Sequence, residues 1–330
     1  MNILVTGGSG FIGSHLVDQL IAQGHKVVVV DNLINGKKEN NSEVASHPNF
    51  IFHETDILEA DEMKQLMRDI DVVYHLACLG VRHSIHSPFE NHLVNAEGSL
   101  SVLEAARANH VKKFFYISTS EIYGDIKTFP IDESGVPLPK TVYGSSKLAG
   151  ENYAYSYWKC YGLDVTITRI FNNYGPRAHY EGDAGEIIPR SIVNILYGKR
   201  PIVFGDGAVT RDFFYVKDTA RALCQLLDTE GITGEIINIG TGSEITMKDL
   251  SQKLLDMMDK SNELSIEFLP DRPADVPRLW VNPAKFEAIT GFKSNYTFEQ
   301  GLLETIPYYR ELMKDKDLSQ EIVVNNWESK

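Results

Sequence analysis

The sequence predicts an α/β fold in which a doubly wound parallel sheet carries a smaller, irregular α/β domain, and three observations support it. Short apolar runs alternate with helix-length segments whose apolar residues recur every three or four positions through the first half of the chain. The first run passes straight into a glycine turn, and beyond Arg169 the alternation gives way to short strand-like pieces between loops rich in Gly, Pro and Asp. Alternating strand and helix periods call for crossover connections, so the strands lie parallel and helices cover both faces of the sheet.

Residues 3–5 form the first buried strand, and Gly7-Gly8-Ser9-Gly10-Phe11-Ile12-Gly13 follows at once, leading into a helix over 14–23. Glycine at 7, 10 and 13 lets the backbone turn sharply, approach a pyrophosphate without a Cβ in the way, and pack helix on strand. Phe11 and Ile12, within this turn, are candidate cofactor contacts, and the N–H groups at the helix N-terminus suit phosphate oxygens. A second strand over 26–30 ends in Asp31 and Asn32, and Asp31 stands eighteen residues past Gly13. An acidic side chain there accepts hydrogen bonds from both adenosine ribose hydroxyls and repels a 2′-phosphate, which makes NAD the expected cofactor of a Rossmann-type domain.

Further strands are predicted over 49–53, 72–75, 113–118 and 165–170, and a helix over 96–109. Tyr174-Gly175-Pro176 and the polar stretch 178–186 then break the rhythm. The NAD-binding domain is therefore expected over 1–173, rejoined by 210–242 through a buried strand over 235–240. The second domain takes 174–209 and 243–330, closing a cleft over the carboxyl ends of the strands, with a loosely held or partly disordered charged tail over 314–330.

A net charge of −13 over 330 residues, with no basic run, argues against nucleic-acid binding. No apolar stretch reaches the roughly 18 residues of a membrane span, and a functional turn beginning at residue 7 leaves no room for a signal peptide, so a cytoplasmic location is expected. Cys78, Cys160 and Cys224 are odd in number and unpatterned, which predicts small buried thiols in place of disulfides or zinc. His83, His86 and His92 lack a metal-binding pattern, and no metal site is expected.

Two segments carry chemistry. Tyr143 and Lys147 are four residues apart, ahead of a helical run over 148–161, so both project from one face. A nearby ammonium stabilises phenolate, as would a positive nicotinamide ring, so Tyr143 is a candidate base although a free phenol has a pKa of about 10. Ser118-Thr119-Ser120-Glu121-Ile122-Tyr123-Gly124 ends the strand over 113–118, where doubly wound folds place reactive groups. Thr119 can hydrogen-bond a hydroxyl being oxidised, and Glu121 puts a carboxylate near the same cleft.

Together, Gly7-x-x-Gly10-x-x-Gly13, Tyr143-x-x-x-Lys147 and the 118–124 segment resemble the extended short-chain dehydrogenase/reductases that modify nucleotide sugars, a similarity reaching to about residue 310. The resemblance implies further roles. Asp56 and Ile57 lie beside the adenine, Leu76 and Ala77 along the cofactor, and Asn95 under the active-site helix. Ser120 and Arg177 are candidate substrate contacts, Asn172 meets the nucleotide diphosphate, and Arg211 with either Arg272 or Arg278 holds it, which lets an acidic chain bind phosphates.

The same resemblance implies that Tyr143 takes the O4 proton while hydride leaves C4, giving a 4-keto sugar. Glu121 suits the C5 base of an NDP-hexose 4,6-dehydratase, the first reading, although Ser120 stands where the family's dTDP-glucose dehydratases carry an Asp. A C4-epimerase is the alternative, suggested by Phe204-Gly205-Asp206-Gly207 and the Gly80-Val81-Arg82 turn, followed by a UDP-glucuronate decarboxylase. Arg82 and Arg177 could read a sugar carboxylate or the phosphates. A non-catalytic NAD-binding scaffold is the contrasting reading, against which both Tyr143 and Lys147 are present. Aromatic residues on several faces of the helices over 96–109 and 145–161, among them Tyr153, Tyr155, Tyr157 and Trp158, point to a homodimer through a four-helix bundle, or to cover by the second domain.

Overall fold

The computed structural model describes residues 1–328. The chain runs β1 (Asn2–Thr6), α1 (Phe11–Ala22), β2 (Lys26–Asp31), β3 (Phe50–Glu54), α2 (Ala60–Leu66), β4 (Val72–His75), α3 (Val81–His86) and α4 (Pro88–His92). A π-helical turn over Leu93–Gly98 leads into α5 (Ser99–Ala108), then β5 (Lys113–Thr119), α6 (Val142–Tyr161) and β6 (Val165–Ile170). The remainder is β7 (Asn172–Tyr174), α7 (Ile187–Leu196), β8 (Ile202–Phe204), β9 (Thr210–Arg211), β10 (Phe213–Tyr215), α8 (Val216–Leu227) and β11 (Ile236–Ile239). After it come β12 (Ile245–Thr246), α9 (Met247–Met257), β13 (Glu267–Leu269), β14 (Arg278–Leu279), α10 (Ala284–Thr290) and α11 (Phe298–Leu312).

Seven parallel strands make the central sheet in the order β3-β2-β1-β4-β5-β6-β11. Strand order reverses between β1 and β4, which opens a crevice at their carboxyl ends. Val27–Val30 is a β-branched run buried on both faces, as a central parallel strand requires. Leu16, Val17, Leu20 and Ile21 of α1 join Leu223 and Leu226 of α8 on one face of the sheet, and Met63, Val102, Leu103 and Ala154 of α2, α5 and α6 join the core on the other. A separate core around Tyr174, Ile188, Ile192, Leu250 and Leu302 gathers the segments expected to form the second domain, while Phe286 and Phe292 from 243–330 pack into the core with α1 and α8.

Some expectations need correction. The helix expected over 96–109 is entered through the π turn, in which Asn95 bonds back to Leu79. Cys78 and Cys160 are exposed, and of the three cysteines Cys224 alone is buried. Tyr153, Tyr157 and Trp158 pack into the chain's own first-domain core, so the aromatic surplus on α6 shrinks to residues such as Tyr155.

The charged tail is not loose as far as it is described. Leu318 is buried in the second-domain core, Arg190 donates to the Val323 and Val324 carbonyls at 2.8 and 3.0 Å, and Asn326 donates to the Gly185 carbonyl at 3.0 Å. Apolar and amide groups spaced among the charges bind it down, and residues 329–330 of that expectation lie outside the described residues.

Candidate active site

A cleft of about 410 Å³ runs along the carboxyl ends of β1, β2, β4, β5 and β6 and beneath the second domain. Gly7, Gly10, Phe11, Ile12 and Gly13 line one end of it. Gly7 has φ 68°, and a Cβ there would lie 2.8 Å from the Ala77 nitrogen, while a Cβ on Gly13 would collide with the Gly7 carbonyl. Only glycine lets strand, turn and helix close up this tightly.

Asp31 lines the same end, and its two oxygens accept from the N–H groups of Ser9 and Leu33, each at 2.9 Å. Burial raises its pKa, and these two N–H donors work against the rise. Its remaining lone pairs are fixed at the cleft wall. Asn32, Ile57, Leu76 and Ala77 are also lining residues. Asp56 and Asn95 lie behind the wall: Asp56 accepts from Asn32 at 2.8 Å and from the Leu58 N–H at 2.9 Å, and Asn95 exchanges two hydrogen bonds with the Leu79 backbone, both 2.9 Å. A glycine cradle against a helix N-terminus, with a carboxylate at the end of the next strand, fits the dinucleotide expected from the sequence.

At the other end β5 delivers Thr119, and α6 delivers Tyr143 and Lys147. The helix starts there because Thr141 caps it, accepting from the Gly144 N–H at 3.1 Å. It stops at Gly162, which takes a left-handed conformation. Thr119 lines the cleft with Tyr143, and its side chain accepts from the Glu121 N–H at 3.2 Å. Burial lifts the Tyr143 phenol well above its ordinary value. Lys147 is buried one turn on, its ammonium 4.5 Å from the centre of the Tyr116 ring.

Glu121 and Ser120 line the cleft beside them. Burial raises the Glu121 carboxyl, a shift that Arg211, Arg272 and Arg82 oppose and Asp275 reinforces. Asp275 sits between two arginines, bonded to Arg211 and to Arg272 at 2.8 Å each. Burial works against its ionisation, but the Arg272 and Arg211 guanidiniums outweigh it and hold its pKa down. Asn172 lines the cleft with a buried Oδ1 that has no hydrogen-bond partner. A side pocket beyond Arg82 and Arg272 is walled by Arg190, Asn194, Phe204, Val209 and Met247.

Of the residues expected at the site, the structure leaves two arginines elsewhere. Arg177 bonds Asp18 at 2.6 Å, and Arg278 pairs with Glu244 and lies over Phe129 and Trp280. Both have a local carboxylate, and neither lines the cleft. Arg272, with its guanidinium on Asp275, is the one of the late pair that does. Arg82 also lines the cleft, and its buried Nε has no partner. Sequence reasoning missed Glu186 and His179, which reach the cleft from the polar stretch 178–186. Nothing local marks them, because only the fold of the second domain turns that stretch inward.

The sequence model of the family described as GDP-mannose 4,6 dehydratase matches residues 4–305. A putative UDP-glucose 4-epimerase of Methanocaldococcus jannaschii is 35% identical over 93% of this chain and 98% of that protein. A UDP-N-acetyl-alpha-D-glucosaminuronate decarboxylase of Bacillus cytotoxicus is also 35% identical, over 94% and 98%. The crystal structure of a dTDP-glucose 4,6-dehydratase from Streptomyces venezuelae with NAD bound superposes with a TM-score of 0.90 at 33% identity, covering 96% of this chain and 99% of that one.

Proposed function

The chain belongs to the extended short-chain dehydrogenase/reductases that modify nucleotide sugars, spanned by their GDP-mannose 4,6-dehydratase model, and on that premise we propose that it is an NAD-dependent NDP-hexose 4,6-dehydratase. The observation that carries the reading is Glu121, a cleft carboxyl whose pKa burial raises, set two residues past Thr119 and close enough to Tyr143 to shift its titration. A carboxyl tuned upward in a cleft suits proton transfer at carbon.

NAD, held by Gly7, Gly10, Gly13 and Asp31, supplies a reversible hydride acceptor at C4 of the sugar. Tyr143 takes the O4 proton while Thr119 holds the same oxygen. Burial pushes the phenol up, so its ionisation calls for positive charge nearby, a role assigned to Lys147 one turn along α6. The 4-keto group acidifies the C5 proton, and Glu121 removes it. Arg211 and Arg272, with Asn172, hold the diphosphate, and the side pocket against Phe204 takes the nucleoside.

A second reading rests on Arg82. A guanidinium in the cleft with an unpartnered Nε could hold a C6 carboxylate, which would favour a uronate C4-epimerase or decarboxylase. Proton NMR in deuterated water separates these, with UDP-, GDP- and dTDP-hexoses and UDP-glucuronate as substrates. A C6 methyl with deuterium at C5 is the expected result. An inverted C4 proton without deuterium, or loss of C6 as carbon dioxide, would replace the dehydratase reading, and bound NAD with no turnover would make the protein a scaffold.

We further place the protein in the cytoplasm as a homodimer pairing α5 and α6 with their copies. No helix among the described residues is long and apolar enough to cross a membrane. Leu100 on α5 and Tyr155 on α6 leave 39% and 43% of their surface uncovered.

A further inference from the structure

Elimination across C5–C6 needs an acid as well as a base, and the segment holding Glu121 does not provide one. Hydroxide is a poor leaving group, and Ser120 carries no proton acidic enough to help it depart. The other cleft carboxyls can be taken in turn. Asp31 lies at the cofactor end, accepting from Ser9 and Leu33. Asp183 is bonded to His86 at 3.0 Å. Asp275 is clamped between Arg211 and Arg272, which keep it ionised.

Glu186 remains. It precedes α7 on the second-domain wall, lines the cleft, and its side chain neither caps its own helix nor meets any other hydrogen-bond donor among the described residues. Arg82, which lines the same cleft with its own Nε unpartnered, lies near enough to both Glu186 and Glu121 to act on their charge. Burial raises the Glu186 carboxyl, with Arg82 and then His179 opposing, so it holds a proton at higher pH than a solvated glutamate.

Resting on the dehydratase reading, we propose that Glu186 is the general acid that protonates the departing C6 hydroxyl, facing the base Glu121 across the cleft. Glu121 accepts the C5 proton, and the electron pair of the C5–H bond becomes the C5=C6 bond. The C6–O bond breaks and its oxygen takes the Glu186 proton, leaving as water. The Glu186 carboxylate is then stabilised by Arg82. The hydride removed from C4 is returned to C6 and Glu121 returns a proton to C5, so no outside oxidant or reductant is used.

The test compares the full-length wild type with Glu186→Gln, which preserves shape, on whichever of dTDP-glucose, GDP-mannose or UDP-N-acetylglucosamine the wild type converts. NADH absorbance, C5 deuterium exchange and C6 methyl formation are followed separately, and the 6-deoxy-6-fluoro analogue of the same nucleotide is run in parallel. In Glu186→Gln, NADH formation and C5 exchange stay within about threefold, while methyl formation falls on the order of 100-fold or more. The fluoro analogue, whose leaving group needs far less protonation, returns to within about tenfold of wild type. Unchanged methyl formation would overturn the proposal, as would an equal loss of every step with no rescue by the analogue. If the wild type makes no methyl from any of the three nucleotides, the dehydratase reading itself fails, a result visible before any variant is made.

Discussion

Glu151 and Arg169 tie the helix that carries Tyr143 and Lys147 to the central sheet, and breaking that tie should be among the costliest single changes in the chain. Glu151 lies one turn beyond Lys147 on α6, and Arg169 lies on β6. Their side chains keep 3% and 4% of their surface, and the guanidinium meets the carboxylate at 2.8, 3.0 and 3.2 Å. Arg169 also donates to the Tyr123 hydroxyl at 2.9 Å, and that hydroxyl donates to Asn238 on β11. Glu151→Ala leaves a buried guanidinium with one partner, which costs about 3–5 kcal/mol. At ~2 °C per kcal/mol for a domain of this size, Tm falls by about 6–10 °C.

The double variant Glu151→Leu with Arg169→Met removes both charges from the interior and keeps most of the volume. Because the pair's mutual attraction mainly offsets its own desolvation, the double variant should lie within about 2 kcal/mol of wild type, with Tyr123 still bonded to Asn238. Differential scanning calorimetry of wild type, both single variants and the double variant closes the cycle. A Glu151→Ala loss below about 1 kcal/mol, or a double variant no better than the worse single one, would refute the reasoning.

Other expectations follow from the cleft. Tyr143→Phe should lower turnover about 10²- to 10⁴-fold while NAD binding persists, checked by calorimetric titration beside the rate assay. Asp31→Asn puts an NH₂ against one of the two N–H donors and removes the charge, so NAD should bind on the order of 10- to 100-fold more weakly and the preference over NADP should narrow. As a base Glu121 works ionised, and burial has raised its pKa, so the rate should fall as pH drops through that raised value, and Glu121→Gln should abolish this acid limb of the kcat/KM profile. Light scattering on a sizing column should give twice the 37.1 kDa chain mass, and a charge placed at Leu100 or Tyr155 should shift it to one.

What one sequence determined here was whatever a local period or a short motif can carry. The glycines at 7, 10 and 13, the valine run ending at Asp31 and the Tyr143-x-x-x-Lys147 spacing act within a turn, a strand or a helix face. Each could be read in place because its physics involves only near neighbours along the chain. Tertiary structure decided what depends on residues far apart. Arg177 and Arg278 carry the same guanidinium as Arg211 and Arg272, and only folding supplied Asp18 and Glu244 as partners outside the cleft. The tail read as loose from its charge, yet Leu318, Asn326 and the carbonyls of Val323 and Val324 found partners more than 120 residues away. Glu186 sits in a polar stretch with no period, and it faces the cleft because the second domain's core turns α7 over the sheet. Burial, charge partners and orientation across a domain boundary are sums over the whole fold, and no window of sequence contains them.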